Sequence, residues 1–284
     1  INRIRFPIQA EISQELNKDL YFFDILAHYQ VESGVFKSGY WNELKNYIDD
    51  NKIITEWNHF YYKSSKNFSL KKAVKDCKNY DSKISSNYHK IVDQRISVKD
   101  FIYILRKIFY FFKVYKKIIK KDSEKIFTID NSKFKVYYFN VIKNEFRKSL
   151  FGLKAFTNLY YLKSLERKII SIENSPACIF IQENQPWEYA LTYFWNKYLN
   201  NKIVGVPHTT LPFFDFRYFF YKKTFEMQQF KPHLPTYMAI NGKDMQSKIS
   251  DYNFLNSKLI NVEALRYNYQ KNFNLDKKKK NKIV

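Results

Sequence analysis

Several stretches of this 284-residue chain carry side chains suited to acid–base or anion-binding chemistry. Glu183 and Asn184 follow Ala177 to Gln182, an apolar run of strand length, and Gln185-Pro186 open a helix. Proline fits a first helical turn because its missing N–H costs nothing there. Glu188 lies in the same first turn, where the helix dipole stabilises a carboxylate. It is off the helix's apolar face and reads as solvated or as a ligand contact. His208, Thr209 and Thr210 follow a second apolar run, Ile203 to Val206. An imidazole titrates near neutrality, so His208 suits a general base or a contact to phosphate or carboxylate, or simply a bond to a loop carbonyl. Asp215 and Arg217 stand among aromatics in PFFDFRYF. They form either an ion pair that orders the loop or an arginine grip on an anion, with aromatics stacked on a sugar ring. Glu263 and Arg266, in VEALRY, follow another strand; in a two-domain enzyme that place faces the cleft and suits substrate contact or a hinge. His59 is a weaker candidate by the same logic.

The elements that must hold these groups are short strands and amphipathic helices. Trp187, Ala190, Leu191, Phe194, Trp195, Tyr198 and Leu199 recur at the spacing of one buried helical face. Trp187 therefore reads first as core, although its first-turn place could set it against a sugar. Two apolar strands joined by this helix make a βαβ unit of a parallel sheet, where ligands sit beyond the carboxyl ends of the strands. A similar unit opens the chain. Asp19 to Tyr29 is a strand running into a loop punctuated by Gly34 and Gly39. Tyr40 to Asp50 is a helix with Trp41, Leu44, Tyr47 and Ile48 on one face, and Lys52 to Tyr62 is a second strand. Thr236 to Ile240 and Lys258 to Val262 are further strands, with a helix over 243–250 between them. The expected class is α/β, a Rossmann-like parallel sheet with a mostly helical insertion at about 64–175.

Within that insertion, 69–81 is helical, Ser97 caps a basic helix over 98–121, and 145–172 is one long helix. Residues 125–138 are either a strand pair turning at Asp130-Asn131 or a loop. The expected domain spans 1–267. Residues 268–284, with a lysine run at 277–280, read as a linker and the first strand of a further domain.

A formal charge of +22 invites a nucleic-acid or anionic-membrane reading. Only eight of the 49 basic residues are arginine, the side chain best shaped to grip phosphate, and the abundant Lys, Asn, Ile, Phe and Tyr share AT-rich codons. No nucleic-acid partner is expected. Basic residues interrupt the most apolar window, 101–119, so it cannot span a bilayer; it either packs by its aromatic face or lies on an anionic surface. Cys77 and Cys178 are expected to be reduced packing thiols of a cytoplasmic protein. The chain contains no GxGxxG, P-loop, GxSxG or HExxH, and no Cys/His spacing for a metal.

At ENQPWEYAL, VPHTTLPFFDFRYF and VEALRY the sequence resembles a family of bacterial surface carbohydrate biosynthesis proteins. The match falls on Glu183, Asn184, Gln185, Trp187, Glu188, His208, Thr210, Asp215, Arg217, Tyr218 and Phe219, and on Glu263 to Tyr267. SGYWNEL and EWNHFYY resemble its N-terminal pattern. The resemblance implies a GT-B-like glycosyltransferase of O-antigen or capsule assembly, with this chain as the N-terminal, acceptor-binding half. Its partners would be a nucleotide-sugar donor, used as substrate with no other cofactor or metal, and a glycan or lipid-linked acceptor. His208 and Glu183 would then be the catalytic candidates. Asn184, Trp187, Glu188, Thr209, Thr210, Asp215, Arg217, Glu263 and Arg266 would contact substrate. The alternative is a non-catalytic scaffold of polysaccharide assembly, held by helix 98–121 at the inner face of the membrane.

Overall fold

The computed structural model describes residues 18–26, 29–32, 34–62, 69–81, 86–92, 96–126, 135–174, 176–207, 233–242, 246–247 and 258–262. These fall into a sheet unit, within Leu16–Val92 and Asn174–Val284, and a helical unit within Asp93–Glu173. The chain begins with β1 (Leu20–Ile25), β2 (Tyr29–Glu32), β3 (Val35–Ser38), α1 (Asn42–Asp50), β4 (Thr55–Phe60), α2 (Leu70–Cys77) and β5 (Asn87–Ile91). The helical unit holds α3 (Val98–Ile126), α4 (Lys135–Leu150) and α5 (Leu153–Ile170). The sheet unit then resumes with β6 (Ala177–Ile181), α6 (Pro186–Tyr198), β7 (Ile203–Val206), β8 (Tyr237–Asn241) and β9 (Lys258–Val262).

Seven strands form one parallel sheet in the order β5-β4-β1-β6-β7-β8-β9, and β2 and β3 form a separate antiparallel hairpin. The α/β, Rossmann-like class is therefore present. β1 reads LYFFDI because a central parallel strand is buried on both faces. On one face Phe22 stacks flat on Trp57 with centroids 4.0 Å apart, among Leu26, Phe36, Trp41 and Ile48. Tyr21 and Phe23 instead meet the edge of Trp195 in α6. Gly205 in β7 is a close-approach position: a Cβ there would lie 2.2 Å from Oε1 of Gln182. Both cysteines are free and buried, and burial pushes both thiols up.

The structure departs from the expected helical stretch in two places. Residues 70–91 belong to the sheet unit, as α2 and edge strand β5, so less of 64–175 is helical insertion than the sequence suggested. The single helix expected over 145–172 is broken at Gly152, whose φ of 95° suits glycine, into α4 and α5. Ser97 caps α3 as expected: its Oγ accepts the Asp100 N–H at 3.1 Å and donates to the Asp100 carboxylate at 2.7 Å. Of the stretch 125–138, expected as a strand pair or a loop, 125–126 end α3 and 135–138 open α4, so both ends are helical; 127–134 lies outside the described residues, as does most of 243–250. The helical unit's core is Ile96, Ile104, Leu159 and Tyr160, flanked by Phe101, Ile108, Phe111 and Phe156.

Candidate functional site

The strand order reverses direction at the centre of the sheet. From β1 the chain builds outward through β4 to β5, then returns to the other side of β1 with β6 and continues to β9. The crevice beyond the carboxyl ends of β1 and β6 is the switch point where doubly wound sheets bind ligands. Gln182, Glu183 and Asn184 follow β6 there. Gln182 is buried, its N–H bonded to Val206 O of β7 at 2.9 Å, while Glu183 and Asn184 are half-buried.

Glu188 fixes this turn. Its Oε1 accepts the N–H groups of Glu183 and Gln185 at 2.8 and 2.9 Å, and its Oε2 accepts that of Asn184 at 2.9 Å. The Gln185 side chain accepts in return from the Glu188 N–H, completing a capping box. Asn184 takes the left-handed conformation, φ 56°, that asparagine tolerates better than most residues. Burial pushes the Glu188 carboxyl up to about 8 against the pull of its three N–H donors. The N–H groups of the turn that leads into α6 are thus occupied by the chain's own carboxyl. A small recess beneath this turn is lined by Phe180, Gln182, Asn184, Tyr189, Thr192 and His233, among others. His233, which the sequence reading did not single out, places its ring 4.7 Å from Tyr193, and its carbonyl accepts from Thr192 Oγ1 at 2.6 Å.

Of the residues singled out from sequence, Glu183 and Asn184 stand together at the switch point. Trp187 is core, 5% exposed, with its ring 4.3 Å from Phe60 of β4 and 6.1 Å from Phe180. Glu188 is buried rather than solvated, and its carboxyl holds the loop. His208, Thr209, Thr210, Asp215, Arg217, Glu263 and Arg266 lie outside the described residues.

The weaker candidate, His59, is the middle of a buried polar chain under the β1–β4–β5 side. Its Nδ1 meets Asp24 Oδ1 at 2.5 Å and its Nε2 meets His89 Nδ1 at 3.0 Å. His89 Nε2 meets Asp81 Oδ2 at 3.0 Å, and Lys45 Nζ bridges Asp81 at 3.0 Å and Asp49 at 2.6 Å. Asn87 donates to Asp49 and accepts from Thr55, which accepts from the Trp57 indole. The other Asp24 oxygen takes the Trp41 indole N–H, and Asp81 Oδ1 takes the Phe36 N–H. The sequence reading placed Tyr47 on the packed face of α1, but Tyr47 is 60% exposed and Lys45 is the buried residue. Burial holds His89 down at about 4, so it stays neutral at pH 7. Asp24, His59, His89 and Asp81 are all buried, so this chain of contacts ties β1, β4 and β5 together.

Among the described residues, no group of three or more His, Cys, Asp or Glu is placed to hold a metal ion. Comparison with protein families, with curated proteins and with solved structures finds no match to this chain.

Proposed function

We propose that this chain is the acceptor-side, Rossmann-like part of a glycosyltransferase-like protein of bacterial surface polysaccharide assembly, in which a sugar passes from a nucleotide-activated donor. One observation carries the reading. Glu183 and Asn184, within the stretch that carries the resemblance, stand at the switch point of a doubly wound parallel sheet. The same turn supports a saccharide as the substrate there. Its N–H groups are taken by Glu188, so the site is better suited to hydroxyl-rich saccharide than to pyrophosphate. Glu183 would accept a sugar hydroxyl and Asn184 would donate to or accept from a neighbouring one. His208, two residues past β7 in the chain, is the other candidate base.

Titration of the chain with a short-chain lipid-pyrophosphate disaccharide, alongside uridine diphosphate, tests this. The disaccharide should bind, with affinity falling about tenfold in Glu183→Gln and in Asn184→Ala, as expected for one lost hydrogen bond to a charged or buried group. Binding of uridine diphosphate alone, or affinities untouched by both substitutions, would overturn the assignment.

A second reading, a non-catalytic scaffold at the membrane surface, is favoured by one feature of the helical unit, the exposed apolar stripe on α3.

A further inference from the structure

The helix α3 has two apolar faces, and among the described residues only one of them joins the buried core. Phe101, Ile104, Ile108 and Phe111 turn toward α5, where they join Leu159, Tyr160 and Phe156. Val98, Ile102, Leu105, Phe109 and Phe112 recur at alternating steps of four and three, which places them along a second line on the helix surface. All five are exposed, Phe109 by 67%. The line is about 21 Å long at the rise of an α-helix. Phe151, just before α5, lies against Phe112 with ring centroids 5.8 Å apart. A stripe of two phenylalanines, an isoleucine, a leucine and a valine facing water needs an occupant.

The charges beside the stripe indicate which one. Lys99, Arg106 and Lys113 repeat every seven residues along its flank away from α5, with Lys117 one turn further on, and all four are exposed. Between 98 and 121 the chain has eight basic residues and one acid, Asp100. That acid is already engaged, by the Ser97 cap and by Arg167 at 2.8 Å. Lys116 sits over the Phe112 ring at 4.5 Å, where its stem covers apolar surface and its ammonium stays at the rim. Lysine dominates the row, and its hydrated point charge suits diffuse contact with many phosphates better than fork-shaped recognition of one carboxylate. No described helix is long and apolar enough to cross a membrane.

We propose that α3 lies flat on an anionic lipid bilayer. Phe109, Phe112, Ile102 and Leu105 enter the acyl boundary, while Lys99, Arg106, Lys113 and Lys117 reach the lipid phosphates. This is the geometry of an interfacial amphipathic helix, with apolar burial and electrostatic attraction acting together. An acidic protein groove would satisfy the charges but would not require the apolar stripe to enter hydrocarbon. The assignment is independent of the saccharide site, since it rests on the helical unit alone.

Vesicle flotation of the full chain separates these possibilities, with phosphatidylcholine vesicles compared against vesicles that also contain phosphatidylglycerol. The chain should float only with the anionic vesicles, and less so as salt rises. Arg106→Gln/Lys113→Gln/Lys117→Gln should bind about a hundredfold more weakly. Phe109→Ser/Phe112→Ser should weaken binding by more than about tenfold with only a small change in the thermal melt, because Phe109 is exposed and Phe112 loses only its edge contact with Phe151. In Phe109→Trp the added indole, distinguished by difference from the four native tryptophans, should shift its emission to the blue on the anionic vesicles. Failure to float with anionic vesicles would overturn the proposal. So would flotation indifferent to Phe109→Ser/Phe112→Ser, or an unshifted indole, since either leaves only charge adsorption above the headgroups.

Discussion

Asp81→Ala should destabilise the sheet unit by about 3–5 kcal/mol, the cost of breaking a buried charge pair from one side. Asp81 Oδ1 holds the Phe36 N–H, and Oδ2 holds both the Lys45 ammonium and His89. Removing the carboxylate leaves Lys45, 2% exposed, with Asp49 as its one remaining acidic partner, and leaves His89 Nε2 without an acceptor. Backbone adds to the loss, because Asp81 sits at φ 51° with its N–H bonded to Gly34 O, a conformation alanine resists. Asp81→Asn keeps the conformation and one acceptor and should cost less. Asp81→Asn combined with Lys45→Met should recover part of that loss, since the stranded charge is gone. Urea denaturation measures all three. A loss below about 1 kcal/mol for Asp81→Ala would mean that the pair is not buried as described.

The same chain should make the fold acid-sensitive well above the usual carboxylate range. His89 is held down to about 4 from 6.5, by burial first and by the neighbouring His59 and Lys45, with Asp81 pulling the other way. Between those two values the unfolded chain binds a proton that the folded chain refuses, so stability falls as pH falls from about 6.5 toward 4. The size follows from the shift, on the order of 3 kcal/mol. Asp81 is held below its ordinary 3.8 by His89, the Phe36 N–H and Lys45, which together outweigh its own burial, so its contribution is lost only at still lower pH. Glu188 acts in the opposite sense. Its folded value of about 8 lies above 4.5, so its contribution is complete below 4.5 and lost as pH rises through 8. Subtracting the pH profile of His89→Gln from that of the native chain isolates the histidine. The difference should grow steadily from pH 6.5 downward, and a flat difference would contradict the buried neutral imidazole.

Most of the sheet was legible in the sequence because a parallel sheet writes itself as short apolar runs between helical patterns. β1, β4, β6, β7, β8 and β9 all lie within or beside the stretches that periodicity marks out. β5 was not legible. Its buried positions are Asn87, His89 and Ile91, so the inward face of NYHKI is mostly polar and alternation of hydrophobicity misleads. Those residues are buried because Asp81, Asp49, Thr55 and His59 satisfy them, and that satisfaction exists only once four distant segments meet. Lys45 escaped for the same reason. The break at Gly152 was available to sequence reading, yet the apolar spacing on either side runs in phase and hides it.

The candidate site was legible in part. The rule that ligands sit at strand carboxyl ends brought out Glu183 and Asn184, and the strand order now puts them at the central crossover. What spacing could not separate is a carboxylate that meets a ligand from one that ties a loop. Glu183 and Glu188 are five residues apart at one helix start, and only the three N–H bonds to Glu188 distinguish them.

The most direct test of the saccharide assignment is photolabelling of the full chain with a diazirine-bearing lipid-pyrophosphate disaccharide, followed by peptide mapping. The label should fall on the turn after β6, at Glu183 and Asn184, and should be displaced by the unlabelled disaccharide. Label confined to the opposite, amino edge of the sheet, where Asp19, Ile54 and Lys202 precede β1, β4 and β7, would contradict a saccharide site at the switch point.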